Sequence, residues 1–346
     1  MSGMLVIDGF TNREFSAEEL TMAMNVIPNA YTLVTSLGIF GNPVPLATTY
    51  CALEIDNYVL NLLPVTQRGA PATKGSDGKR KRKLFEIPMS AHEDMIQVAD
   101  LQNLVAFGSK APMMLEDAIN RRLLTMTMKH QITHEWRRVK ALQGVILDSD
   151  GSTLLNLFTE FGVTQLAVPF GGASTINQYI RDVKRHIEDN LLGDVMTGVA
   201  ALCSSQFYDM LLEDADIKAA YNAAAAMMRL NPNIDDVRPV FTHGGVQFIE
   251  YRGKADQKNA DGTTTVRKFV PDGDAIFFPI GTMQSAVSFT APGDFLEALN
   301  MPGQLYYAKS APADKWNRGI ELHTQSAFLP IWTRPATLVR GHTGSS

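Results

Sequence analysis

Between Thr48 and Met89 the chain runs out and back with only a few small apolar residues at the far end. TTYCALEIDNYVLNLL carries β-formers in partial alternation, LFEIPM supplies a return run, and PVTQRGAPATKGSDGKRKRK lies between them. Residues 46–92 therefore read as a long β-hairpin. Its tip, residues 64–83, is rich in Gly, Pro, Lys and Arg and has no core of its own, so it is expected to be mobile in a free chain and better ordered against a partner. A lone two-stranded ribbon is marginal in water. A ribbon this long needs another surface to lie on, and a neighbouring molecule is the natural one.

The tip ends in Lys79-Arg80-Lys81-Arg82-Lys83, with Lys74 just upstream. Like charges this dense repel one another unless something acidic meets them. Three readings stand: a solvated tip, a grip on nucleic acid, or docking on an acidic surface of another copy through Lys74, Lys79, Arg80, Lys81, Arg82 and Lys83. The net charge of −5 argues against nucleic-acid binding as the main task, because phosphate recognition needs a basic face.

The 346 residues suffice for two or three compact units, and 45% hydrophobic content is enough for a real core. Residues 1–45 lead into GNPVPLATT and read as an extended arm. Their start lacks the basic-then-apolar pattern of a signal peptide, and no run of about 18 apolar residues predicts a membrane span. Two distant cysteines, Cys51 and Cys203, suit a reducing compartment such as the cytoplasm and make no disulfide framework. Residues 93–110 look like a helical lead-in.

A strong helix should open at Pro112 and run to about Gln143, roughly 45 Å at 1.5 Å per residue. Glu116 and Asp117 near its start and Arg137, Arg138 and Lys140 near its end match the macrodipole. Met114, Leu115, Ala118, Ile119, Leu123, Met126, Ile132, Trp136 and Val139 form its apolar stripe. Asp148-Ser149-Asp150-Gly151 then predicts a hairpin turn, and 175–192 a second amphipathic helix stopped by Gly193. Residues 239–286 read as mostly β, interrupted by the polar loop KADQKNADGTTT. Two late strands are expected around Pro330 and Pro335.

The search for chemistry favours none. His130 and His134 stand one helical turn apart, but a zincin needs Glu where Gln131 stands and no third ligand is evident; a solvated helix face accounts for them. Asp148 and Asp150 lack the later ligands of a calcium loop. Cys203 sits in VAALC with no catalytic partners in view and reads as a buried thiol. Gly171-Gly172 and Gly244-Gly245 lack phosphate-loop spacing and read as turns. No catalytic residue, metal or cofactor is expected.

Arm, hairpin, long helix and the strands beyond occur in an order that resembles a known family. LQGVILDSDGSTLLNLFTEFGV, ALCSSQFYDMLLEDADIKAAYN, PVFTHGGVQFIEYRG, FVPDGDAIFFPIG, TAPGDF and QSAFLPIWTRPATLVR are similar to successive segments of the lambda E-type major capsid proteins of tailed phages. That resemblance implies the α+β shell fold shared with herpesvirus capsids and encapsulins. It implies an N-terminal arm (1–45), an extended loop (46–92), a peripheral domain with the spine helix (93–195), an axial domain (196–286), returning peripheral strands (287–333) and a final axial strand with the tail (334–346).

The function implied is self-assembly of pentamers and hexamers into an icosahedral head around double-stranded DNA, bound without sequence specificity. Implied partners are a scaffolding protein supplied separately, since only about 45 residues precede the hairpin, a portal protein and a decoration protein. The chain would act in the virion after assembly in the host cytoplasm. The rivals are an encapsulin-like compartment shell, a tail-tube protein, and a metal- or cysteine-dependent enzyme using His130, His134 or Cys203.

Overall fold

A computed structural model describes residues 33–55, 81–97, 99, 115–172, 175–215, 217–219, 221, 240–258, 263–316 and 318–344. The expected start of the arm and the hairpin tip up to Arg80 lie outside the described residues. In chain order the elements are helix α1 (Leu33–Ser36), strands β1 (Val44–Pro45), β2 (Tyr50–Ile55), β3 (Lys81–Glu86) and β4 (Met89–Gln97), helix α2 (Leu115–Leu142), strands β5 (Val145–Leu147) and β6 (Thr153–Asn156), helix α3 (Leu157–Phe161), strand β7 (Leu166–Pro169), helix α4 (Ile176–Asp189), strand β8 (Gly198–Cys203) and helix α5 (Ser205–Glu213). Nine strands follow: β9 (Val240–His243), β10 (Val246–Glu250), β11 (Lys254–Lys258), β12 (Thr264–Lys268), β13 (Asp274–Ile280), β14 (Ala286–Thr290), β15 (Tyr307–Pro312), β16 (Gly319–Trp332) and β17 (Val339–His342).

Two sheets organise the α+β architecture. One runs β1-β14-β16-β15 with β4 also on β16; the other runs β7-β17-β13-β8-β10-β9. The 28-residue α2 is the expected spine, about 42 Å long, and it lies on the first sheet. There Ala118, Ile119, Leu123 and Met126 meet Ile96, Tyr306, Ala308 and Leu322. Against the second sheet pack Ile180, Val183 and Ile187 of α4, at helical spacing, and Phe207, Tyr208 and Leu211 of α5. A central cluster joins the two layers through Trp136, Val139, Leu142, Leu202, Phe278, Leu329 and Trp332.

Local chemistry sets several joints as the sequence predicts. Asp148–Gly151 turns β5 into β6, with Gly151 at φ +86°. Gly244 and Gly245, at φ +61° and +81°, form the two-residue turn between β9 and β10. One joint departs from the β-prone reading of this stretch: Asn156 Oδ1 accepts from Phe158 N and Thr159 N to start α3.

Elsewhere the structure corrects the reading. Residues 93–97 are not helical: they extend β4, which zips along β16 from Met89↔Ala327 to Gln97↔Gly319. Lys81, Arg82 and Lys83 belong to the return strand rather than to the tip, paired with Ile55, Glu54 and Leu53. KADQKNADGTTT is a ribbon of its own, because β11 pairs with β12. Pro330 does not divide two strands but lies within β16, opposite Ser288. The second helix ends at Asp189, with Asn190 as its cap, short of Gly193. Ile132 is exposed, while His130 and His134, expected on a solvated face, are buried.

Candidate functional site

The root of the hairpin is fixed by alternation. Cys51, Phe85 and Ile87 point into the core, while Tyr50 and Leu84 point out, Leu84 with 68% of its surface exposed. Phe85 stacks on Phe161 at 6.5 Å between centroids. Lys83 Nζ donates to the Glu160 carboxylate at 2.9 Å and to the Glu160 carbonyl. The last lysine of the basic run is thus engaged within its own chain. Arg82 is exposed beside it, whereas Lys74, Lys79 and Arg80 lie outside the described residues.

The last turns of α2 gather three pieces of backbone. The Glu135 carboxylate accepts from Val34 N at 2.6 Å, Thr35 N at 3.2 Å, Thr35 Oγ1 at 2.8 Å and Tyr251 OH at 3.1 Å. It holds the start of α1 against the spine. Arg138 donates to Thr35 Oγ1 at 2.6 Å. Arg137 donates to the carbonyls of Pro88 and Phe328, at 3.2 and 3.1 Å, and to Ser90 Oγ at 2.7 Å. It therefore ties the base of the hairpin to β16. Burial pushes the Arg137 guanidinium down to about 10. The sequence reading missed this hub, because polar side chains satisfied inside the fold look like a solvated face in a hydropathy pattern.

A second surface was also missed. The turn after Phe295 displays Leu296, Leu299 and Met301, which are 90%, 68% and 55% exposed. Its backbone is locked by Ala298 N to Phe295 O and Met301 N to Ala298 O, with Asn300 left-handed at φ +60°. Phe295 anchors it against Tyr307 and His323. The available signal was an apolar LEALNM segment bracketed by two Pro-Gly pairs.

The candidate chemical groups are buried. Burial pushes the Cys51 thiol up to about 11 and the Cys203 thiol higher still. His130 and His134 contact hydroxyls of β16, at 3.0 and 2.7 Å. No group of His, Cys, Asp or Glu suited to a metal occurs among the described residues. Nor is any helix among them long and apolar enough to cross a membrane.

The profile of the family described as "Phage major capsid protein E" matches residues 16–343. The chain belongs to this family. As a major capsid protein it is a structural subunit of the phage head, not an enzyme. The major capsid protein of Pseudomonas phage KPP10 is 29% identical over 343 residues, covering 94% of this chain and 96% of its own. That of Salmonella phage Felix O1 is 24% identical over 360 residues, covering 95% and 97%. Among solved structures, a prophage capsid protein from E. coli CFT073 superposes with a TM-score of 0.59 at 14% identity, over 95% of this chain and 99% of that one. The capsid of cyanophage P-SCSP1u gives 0.50 at 10% identity, over 92% and 90%. At these identities the superpositions speak for the fold: this major capsid protein has the phage shell fold. Many copies of it form the capsid, and its place is the virion.

Proposed function

We propose that this major capsid protein assembles as pentamers and hexamers that close an icosahedral head around double-stranded DNA. The family match over nearly the whole chain carries the reading. The segments 196–286 and 334–346 serve as the axial domain and supply five strands of the six-stranded sheet; its edge strand β7, and α4 packed on the sheet, come from the segment 93–195. The spine and the first sheet form the peripheral domain, 93–195 and 287–333. The arm, 1–45, and the extended loop, 46–92, reach over neighbours. Each contact can be weak, because a closed shell repeats it many times.

Within that shell the extended-loop tip docks on an acidic patch of an adjacent copy. Lys83 is held by Glu160 of its own chain, so Lys74, Lys79, Arg80, Lys81 and Arg82 make the contact between subunits. A scaffolding protein directs assembly in the host cytoplasm, a portal protein occupies one vertex, and a decoration protein can coat the finished shell. The DNA is enclosed without sequence-specific binding, in keeping with the net charge of −5.

The test is electron microscopy and sedimentation of the protein expressed with and without its neighbouring genes. Closed particles are expected when a scaffold is supplied; compact monomers at high concentration would defeat the reading. Replacing Lys79, Arg80, Lys81 and Arg82 with Ser should lower shell yield and its salt sensitivity while leaving the melting temperature nearly unchanged. Exposed pairs contribute only about 0–1 kcal/mol each and are screened over roughly 8–10 Å. Unchanged yield at every salt concentration would remove the docking role.

A further inference from the structure

Along the seam between α2 and the first sheet, two imidazoles are sealed from water. His130 is 3% and His134 1% exposed. His130 Nε2 lies 3.0 Å from Thr324 Oγ1, and His134 Nε2 lies 2.7 Å from Ser326 Oγ. Both hydroxyls spend their own hydrogens elsewhere: Thr324 donates to the His92 carbonyl at 3.2 Å, and Ser326 to the Leu305 carbonyl at 2.6 Å. Each imidazole must therefore be the donor at Nε2, and in its neutral form it carries its one proton there. A second proton would go to Nδ1 and bring a full charge into the seam.

Among the described residues, none is arranged to receive that charge. From α2 itself the facing charges are Lys129, Arg137 and Arg138. From β4 comes His92, whose Nε2 is 2.8 Å from Lys129 Nζ, and from β16 comes His323. The carboxylates nearby are committed. Glu135 holds α1 and Tyr251, Asp94 of β4 pairs with Arg122 at 3.3 Å, and Glu93 of β4 pairs with His323 at 2.7 Å. The remaining walls are rings. Tyr306, just before β15, and Phe328 stack on His134 at 5.4 and 4.4 Å, and Arg138 already lies 4.6 Å from the centre of the Phe328 ring.

We propose that this seam is an acid-sensitive latch: when His130 and His134 take up protons, the spine helix loosens from its sheet while the six-stranded sheet stays folded. Burial, with the facing cations, holds His130 down to about 4 and His134 well below the ordinary histidine value of 6.5. Both groups therefore bind protons more readily in the open form. The latch is at full strength above pH 6.5 and weakens as pH falls from there to about 4, where His130 titrates in the closed form. His130 alone makes opening roughly twenty-fold easier at pH 5 than at pH 7.

The experiment is hydrogen exchange of the full-length chain at pH 7 and pH 5, corrected for the intrinsic pH dependence of exchange. Protection across α2 and β16 should fall twenty-fold or more, while β8 and β13 keep theirs. A His130→Gln/His134→Gln variant should lose this difference, since the amide can hold the hydroxyls and does not titrate. The single His130→Gln variant, which disturbs less, should lose part of it. An equal loss in both sheets, no loss at α2, or an undiminished loss in the variants would overturn the latch. The readout needs no shell, so its failure is distinct from failure of the capsid reading.

Discussion

Glu135 is a buried carboxylate whose partners lie about a hundred residues to either side, at Val34, Thr35 and Tyr251. Removing it strands two backbone N–H groups and leaves the buried Arg138 without its compensating charge. Glu135→Ala should therefore cost about 3–5 kcal/mol, and Glu135→Gln roughly half of that, because an amide oxygen still accepts. Urea unfolding measures both; equal stability of Glu135→Ala and the parent would show that α1 does not depend on this carboxylate. At this scale the sequence was legible where a residue acts alone. Cys203 reads as a buried thiol and is one. It was not legible where a residue acts through distant partners: His130 and His134 look solvated until Thr324 and Ser326 arrive from nearly two hundred residues away.

At the scale of elements, the legible parts are those whose cause is local. The Asp148–Gly151 turn, the Gly244-Gly245 turn and the periodicity of α4 each carry their own signal. The strand β4 carries none. AHEDMIQ contains good helix formers, and it is a strand because β16 offers it nine residues of ladder. In the candidate site, the hairpin and its basic run were legible, but how far pairing extends was not. Sequence composition placed Lys81–Lys83 in the tip, and backbone register places them in β3. One junction tests how tightly elements are set. Gly144, between α2 and β5, has φ +79°, and a Cβ there would run into the ring of Phe158. Gly144→Ala combines a left-handed backbone with overpacking and should cost about 2–4 kcal/mol. A thermal melt within a degree or two of the parent would mean that the spine can shift freely against α3.

For the whole molecule, the rigid turn bearing Leu296, Leu299 and Met301 is an apolar surface for which the isolated subunit has no use. Leu296→Ser with Leu299→Ser should leave folding within about 0.5 kcal/mol of the parent, since the side chains are already in water. It should cut the yield of closed particles several-fold. Wild-type yield of sealed shells, seen by electron microscopy, would show that the turn makes no shell contact. The β4–β16 pairing has a further consequence, in time. Its two strands are more than two hundred residues apart. A ribosome adding about 5–20 residues per second makes β16 on the order of 10–40 s after β4. During that interval the polar face of the spine has no sheet to close it, and β17, which completes the other sheet, comes later still. A nascent chain therefore cannot present a finished surface to its neighbours on the same message. The ability to join a shell thus waits on β16 and β17, so the order of synthesis delays assembly until both sheets can close.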